Sequence, residues 1–343
     1  MLDGWAAGCV GTGDRLDRKE LEAWQLQKLM DTVKRAAENS PFYKTHPGDV
    51  KFDSLKAFSR LPFTYPEDLR KEGSAFLTVS PDDIRRVTSL TTSGSDGDPK
   101  RVFFSSADLE DTVEFFRHGL NEFVTEGDRV LLLLPGNSPD GLNDLITRAL
   151  SCLGCEGIYF GYPEESRYGE LTDRIREQKI TFLIGTAGAM ACAARYSERS
   201  GLAEILSEQI HGVLAAAAFV SEEDRRDTVR IWKCSFDEYY GMTETGFAGA
   251  VGCRVPGGYH VWETGLYVEI IDPHSGIPLP DGEEGEIVIT TLTDRAMPFI
   301  RYRTGDISRF IPGKCACGSC LKRLERVHER PDGKKYERRK ASG

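Results

Sequence analysis

Between Thr92 and Lys100 the chain reads Thr92-Ser93-Gly94-Ser95-Asp96-Gly97-Asp98-Pro99-Lys100. The hydroxyls of Thr92, Ser93 and Ser95 are donors, Gly94 and Gly97 let backbone N–H groups approach an anion, and Lys100 adds positive charge. Such a run suits a phosphate. Asp96 and Asp98 oppose that design, because a carboxylate repels a phosphate unless a cation or solvent screens it. Runs of this composition also make ordinary surface loops, so the segment is not decisive by itself. A second group is built on sulfur. Cys315 and Cys317 flank one residue and precede Gly318, which frees the backbone to fold two thiolates around one ion, while Cys253 and His260 lie upstream. The alternative is free thiols in a loop with His260 packed in the core. Cys152, Cys155, Cys192 and Cys234 read as core or surface residues.

These residues need elements to position them. From about Arg18 to Ser40, Leu21, Trp24, Leu26, Leu29, Met30, Val33 and Ala36 recur at helical spacing, and Pro41 ends the run. Helices are expected at Asp108 to Phe123, at Leu142 to Leu153 and at a segment closing over Arg174 to Lys179. Strands are expected at Val130 to Leu134, Gly157 to Phe160 and Phe182 to Gly185. Apolar strands alternating with helices predict an α/β, doubly wound, mostly parallel sheet with helices on both faces. Ligands of such sheets sit at the carboxyl ends of strands. After about Gly257 the pattern changes to short strands joined by tight turns, at Val268 to Pro273, Gly285 to Thr291 and Ile300 to Tyr302, which predicts a smaller β-rich lobe.

A chain of 343 residues with 40% hydrophobic and 29% charged residues can bury a sizeable core in one large or two medium domains. The net charge of −10 argues against a general nucleic-acid binder. Basic residues concentrate from Lys322 to Lys340, which reads as a solvated tail. The longest apolar stretch, Gly212 to Val220, is too short to span a membrane, and the amino terminus lacks the pattern of a secretory signal. Nine cysteines, an odd number, fit a reducing compartment. A cytoplasmic protein is expected.

Two further segments make the first one specific. Tyr239-Tyr240-Gly241-Met242-Thr243-Glu244-Thr245-Gly246 follows the hydroxyl loop, and Tyr302-Arg303-Thr304-Gly305-Asp306-Ile307 follows that. In this order the three resemble the adenylate-forming superfamily. The run Ala36-Ala37-Glu38-Asn39-Ser40-Pro41-Phe42-Tyr43, the segments Gly258 to Glu263, Gly285 to Val288 and Pro298 to Asp306, and Cys315-Ala316-Cys317-Gly318 are similar to its phenylacetate–CoA ligase branch. The resemblance runs from about residue 20 to about residue 332. It implies an α/β body followed by a distorted-barrel lobe. It also implies an enzyme that joins a carboxylate to ATP, releases pyrophosphate and passes the acyl group from AMP to coenzyme A. Under it Thr92, Ser93, Gly94, Ser95, Gly97 and Lys100 cradle the triphosphate, Glu244 holds Mg²⁺, and Thr243 lies near the α-phosphate. Tyr240 stacks on adenine beside Gly241, and Asp306 accepts from the ribose hydroxyls. Cys253, His260, Cys315 and Cys317 become the ligands of a structural zinc ion, with Cys320 a substitute. The expected partner is a small carboxylic acid, aryl in this branch, with no nucleic acid and no membrane. Homodimers are common in the branch.

The resemblance also organises the chain. Residues 1–75 form an amino-terminal helical segment, 76–256 the nucleotide-binding body, 257–330 the β-rich lobe and 331–343 a basic tail at a hinge. Four departures stand out. Asp96 replaces a hydroxyl, and Ala216-Ala217-Ala218 replace a Gly/Ala pair followed by Glu that lines adenine. At the hinge Arg330 and Asp332 are retained, with Glu329 in place of Gly. The branch continues beyond that hinge as a small mobile lid, which here is expected to be missing or separately encoded. These departures keep two alternatives open: a related acyl or adenylyl transferase, such as an acyl-protein synthetase or a synthetase that adenylylates a deazaflavin coenzyme, and a non-catalytic nucleotide-binding relative.

Overall fold

The structure is a computed structural model that describes residues 2–13, 15–48, 50–90, 99–216, 220–253, 255 and 257–327. The hydroxyl loop from Thr92 to Asp98, the alanines Ala217 and Ala218, and the hinge residues Glu329, Arg330 and Asp332 lie outside the described residues. Two compact units emerge, each assembled from separated stretches of chain. One comprises Asp111–Met242 and Ala250–Tyr259, the other Leu2–Glu110, Thr243–Gly249 and His260–Gly343.

The first unit is built on parallel strands. Glu156–Tyr159, Arg129–Leu133, Phe182–Gly185, Gly212–Ala215 and Ser235–Gly241 lie side by side in that order, every pair parallel. The strands Phe182–Gly185 and Gly212–Ala215 are buried at every residue, as expected of strands covered on both faces. Close packing explains their glycines. A Cβ on Gly212 would come within 2.6 Å of the Phe182 ring and of Ser235, so no larger residue fits without displacement. The covering helices include Leu142–Cys152, Tyr168–Glu177, Ala187–Arg199 and Glu222–Trp232. Thr186 and Ser221 cap the last two, each accepting from a backbone N–H three residues on. Leu131, Leu133, Leu183, Met190, Val213 and Trp232 share the core they enclose. The strands Arg129–Leu133, Glu156–Tyr159 and Phe182–Gly185 and the helix Leu142–Cys152 lie within one residue of where the sequence puts them, and the helix Tyr168–Glu177 ends two residues before its expected close; the strands Gly212–Ala215 and Ser235–Gly241 and the helices Ala187–Arg199 and Glu222–Trp232 were not read from the sequence.

The second unit holds two antiparallel sheets. Ile84–Leu90 pairs with Lys100–Ser105 as a hairpin. Leu266–Ile271, Gly285–Thr291 and Tyr302–Ser308 form a three-stranded sheet. The helix Arg18–Asn39 starts at Asp17, whose side chain accepts from the Lys19 N–H, and buries Leu21, Gln25, Leu29, Thr32, Val33 and Ala36. Two polar residues on that face are tied to backbone: Gln25 donates to the Glu263 carbonyl at 2.8 Å and Thr32 to the Thr291 carbonyl at 3.2 Å. A buried donor with such a partner escapes most of its desolvation cost.

One strand departs from expectation. The sequence places a strand at Ile300 to Tyr302, whereas the ordered strand begins at Tyr302 and runs to Ser308. Arg301 has φ +48, a left-handed conformation that interrupts an extended chain. Its position is fixed by the segment beside it: the Thr64 N–H donates to the Arg301 carbonyl at 3.1 Å, and the Arg303 N–H donates back to the Thr64 carbonyl at 3.0 Å.

Candidate active site

In the second unit, strand alternation turns Lys100, Val102 and Phe104 inward and leaves Arg101 on the opposite face. Lys100 is thereby buried. Glu244 comes from the short 3₁₀ turn Thr243–Thr245, which buries Glu244 and Thr245 and leaves Thr243 half-buried. Gly246 and Phe247 follow with φ +69 and +66, so the chain reverses directly after the carboxylate. The third member is Tyr302, at the start of its strand and fully buried.

The three side chains meet. The Lys100 ammonium donates to Glu244 Oε1, the Tyr302 hydroxyl donates to the same oxygen at 2.9 Å, and Lys100 Nζ lies 3.5 Å from the Tyr302 oxygen. Charges buried this deeply persist only when paired and hydrogen-bonded. Burial raises the Tyr302 phenol well above its ordinary range, and the negative charge of Glu244 raises it further. The phenol therefore stays a donor. Glu244 Oε2 makes no hydrogen bond with a described residue, which leaves one carboxylate oxygen for a ligand.

The motif around Asp306 is held by a second buried pair. Arg303 donates to Glu286 through Nε at 3.0 Å and through Nη2, and the Gly305 N–H donates to the other Glu286 oxygen at 3.1 Å. Gly305 has φ +85, which a side-chain-bearing residue adopts only with strain. Thr304 completes the turn by donating to the Ile287 carbonyl at 2.8 Å and accepting from the Asp306 N–H at 3.0 Å. Asp306 itself is half-buried.

Tyr240 and Gly241, both half-buried, belong to the first unit and close its strand Ser235–Gly241. The Tyr240 hydroxyl points to Met242 Sδ at 3.9 Å. Of the sulfur group, His260, Cys315 and Cys317 lie together in the second unit with their ligand atoms within 4.8 Å of one another, and Cys317 Sγ is 3.4 Å from His260 Nε2. A tetrahedral zinc ion spaces its ligand atoms roughly 3.3–3.8 Å apart. Two thiols and an imidazole at such a spacing have the right chemistry and nearly the right size. Cys253 belongs to the first unit, in the loop after Gly252. Cys320 is not in the group among the described residues; its N–H donates to Asp3, and burial, with the charge of Asp3, pushes its thiol up to about 11.

Lys100 and Glu244 are thus brought together, a pairing the sequence did not predict, and Tyr302, in the sequence only part of a motif, joins them. A buried phenol cannot be recognised in sequence as the partner of a carboxylate 58 residues away. Among the described residues no helix is long and apolar enough to cross a membrane.

Comparison with known proteins shows the family and the fold. Residues 22–293 match the AMP-binding enzyme family. The chain is 28% identical over 335 residues to a phenylacetate–coenzyme A ligase of Aromatoleum evansii, covering 93% of this chain and 72% of that protein. It is 29% identical over 336 residues to the phenylacetate–coenzyme A ligase of Escherichia coli (strain K12), with 91% and 72% covered. Among solved structures, 2-hydroxyisobutyryl-CoA ligase in complex with 2-HIB-AMP and CoA, in the thioesterification state, superimposes with a TM-score of 0.82 over 92% of this chain and 69% of that one, at 19% identity. That likeness shows a common fold. With its profile matched over most of the length, the chain belongs to the AMP-binding enzyme family.

Proposed function

We propose that the protein is an ATP-dependent, AMP-forming ligase that activates a carboxylic acid, an aryl acid in particular, as its adenylate and transfers the acyl group to coenzyme A. The observation that carries this reading is the buried Lys100–Glu244–Tyr302 cluster, which joins residues from two of the three family motifs to the lysine that ends the hydroxyl loop. The names of the relatives supply the substrate class.

In this reading Thr92, Ser93, Gly94, Ser95 and Gly97 receive the triphosphate, Tyr240 and Gly241 the adenine, and Asp306 the ribose hydroxyls. Thr243 donates toward the α-phosphate. Lys100 adds positive charge where negative charge builds up on transfer. Glu244 is the protein ligand for Mg²⁺, an ion that takes one or two carboxylates together with substrate phosphates, and its second oxygen is available for that purpose. When bound, the ion supplies charge neutralisation at the departing pyrophosphate. Tyr302 orients the carboxylate and remains protonated beside it. His260, Cys315 and Cys317, with Cys253 as the fourth ligand, hold a structural zinc ion.

Acid-dependent exchange of labelled pyrophosphate into ATP tests the proposal, because exchange requires adenylation and nothing later. An aryl acid such as phenylacetate should support exchange. Glu244→Gln keeps the shape and one acceptor while removing the charge, and should lower exchange by about 10²–10³-fold, the loss typical of one electrostatic contact to the reacting centre. A thermal melt within a few degrees of the parent would confirm that the variant is folded. ATP binding without exchange for any acid would overturn the ligase reading.

A further inference from the structure

On the face of the Lys100–Ser105 strand opposite the buried cluster lies a separate cavity of about 260 Å³. It is lined by Arg70 and Lys71 from the end of the helix Pro66–Glu72, by Gly73 and Ser74 just after it, by Pro99 just before the strand, and by Arg101 and Phe103 within it. Among the described residues its lining contains three cations and no carboxylate. We propose that this cavity is a second phosphate site, which receives the phosphate groups at the nucleotide end of the thiol co-substrate, and the assignment rests on the ligase reading above.

Cations in the last turn of a helix have an ordinary explanation, since they complement the negative end of its dipole. That accounts for Arg70 and Lys71. It does not account for Arg101, which arrives from a different element to face them across a cavity. Nor are two of the three cations paired with a carboxylate among the described residues. Arg70 reaches Glu67 at 3.3 Å, whereas neither Lys71 nor Arg101 pairs with a described residue. Both are exposed, which keeps them open to a ligand. A Cβ on Gly73 would meet the Arg101 carbonyl at 3.6 Å and the Phe103 ring at 3.9 Å, so a longer side chain there would grow toward the cavity wall.

The ligand follows from elimination. Three substrates enter the proposed reaction, and two carry phosphate. In that reading the hydroxyl loop and Lys100 belong to the triphosphate of ATP, and Lys100 lies on the inward face of its strand. Arg101 succeeds Lys100 and faces the other way, so the phosphate it meets belongs to another molecule. Coenzyme A is the remaining phosphate carrier, with a 3′-phosphate and a diphosphate. The half-buried Phe103 ring offers a surface on which its adenine can rest.

Titration calorimetry of the full chain tests this without turnover. With saturating AMP filling the first nucleotide position, adenosine 3′,5′-bisphosphate should bind, and Arg101→Ala and Lys71→Ala should each weaken it by at least tenfold. Arg101→Glu should weaken it further. Equal affinity in parent and variants would overturn the site, as would failure of the parent to bind. Inorganic pyrophosphate, titrated in parallel, separates the other source of the same chemistry: weakening confined to pyrophosphate would overturn the coenzyme A assignment. Absence of pyrophosphate exchange alongside intact bisphosphate binding would instead count against the ligase reading and leave the phosphate site standing.

Discussion

Arg301 combines two costs in one residue. Its φ of +48 is unfavourable for a side chain of its size, and its guanidinium is buried. Both are tolerated because its surroundings determine it fully. Nε and Nη2 each donate to Glu269 at 3.0 Å, Nη1 donates to the Leu61 carbonyl at 2.5 Å, and the guanidinium sits 4.1 Å from the Phe63 ring centre. Burial pushes the Glu269 carboxyl upward against the pull of Arg301, so the pair is poised between desolvation and attraction. The consequence is asymmetric. Glu269→Ala strands a buried cation and should cost about 3–5 kcal/mol in denaturant unfolding, while the double change Glu269→Leu with Arg301→Met should cost clearly less. Equal losses would mean that the pair does not act as a unit. Since Arg301 directly precedes Tyr302, the single variant should also lower exchange activity beyond its effect on folding. Nothing in the sequence marks Arg301 as special. Its motif neighbours Arg303, Gly305 and Asp306 were legible by type, but a buried ion pair depends on a partner whose identity only the fold supplies.

At the scale of elements, strands were read with more success than their ends. Phe182–Gly185 and Gly285–Thr291 fall where apolar runs bounded by turn residues put them. The strand Tyr302–Ser308 was misplaced because its start is set by Thr64, which brackets Arg301 from a segment more than two hundred residues earlier. The sulfur group follows the same logic. Cys315 and Cys317 are legible as a pair from their spacing, whereas His260 joins them through pairing of distant strands. It lies on Tyr259–Val261, which neighbours Arg323–Leu324, and the Val261 N–H donates to the Lys322 carbonyl at 2.9 Å. An ion at His260, Cys315 and Cys317 would fasten the 315–317 loop to that strand. Elemental analysis of protein prepared without chelators should therefore find close to one zinc per chain, and Cys317→Ser should remove it and lower the melting temperature. Zinc-free parent protein of unchanged stability would overturn the site.

Over the whole chain, each compact unit gathers stretches that are far apart in sequence, so periodicity could identify the parallel and antiparallel regions but not which segments share a core. Long-range burial of polar groups is equally hidden from composition, and it has a consequence for stability. Tyr43, Tyr239 and Tyr302 are each buried, and burial, the largest cause in every case, raises all three phenols above their ordinary range. The Tyr43 hydroxyl is further engaged by the Ile300 N–H at 3.1 Å, and Tyr302 is further raised by Glu244. In the unfolded chain these phenols ionise near pH 10. Below that pH both states hold the protons and the groups add no pH dependence. Above it the unfolded state binds fewer protons than the native one, so stability falls as pH rises, by about 1.4 kcal/mol per pH unit for each ionised phenol until the native values are reached. Urea unfolding at pH 8, 10 and 11 should therefore give a level stretch followed by a steep alkaline decline. Tyr302→Phe should remove one phenol from that decline and make it shallower, whatever the variant does to stability at pH 8. A parallel decline in the parent and in Tyr302→Phe would mean that Tyr302 does not hold its proton in the native state, and with it would go its role as the fixed donor to Glu244.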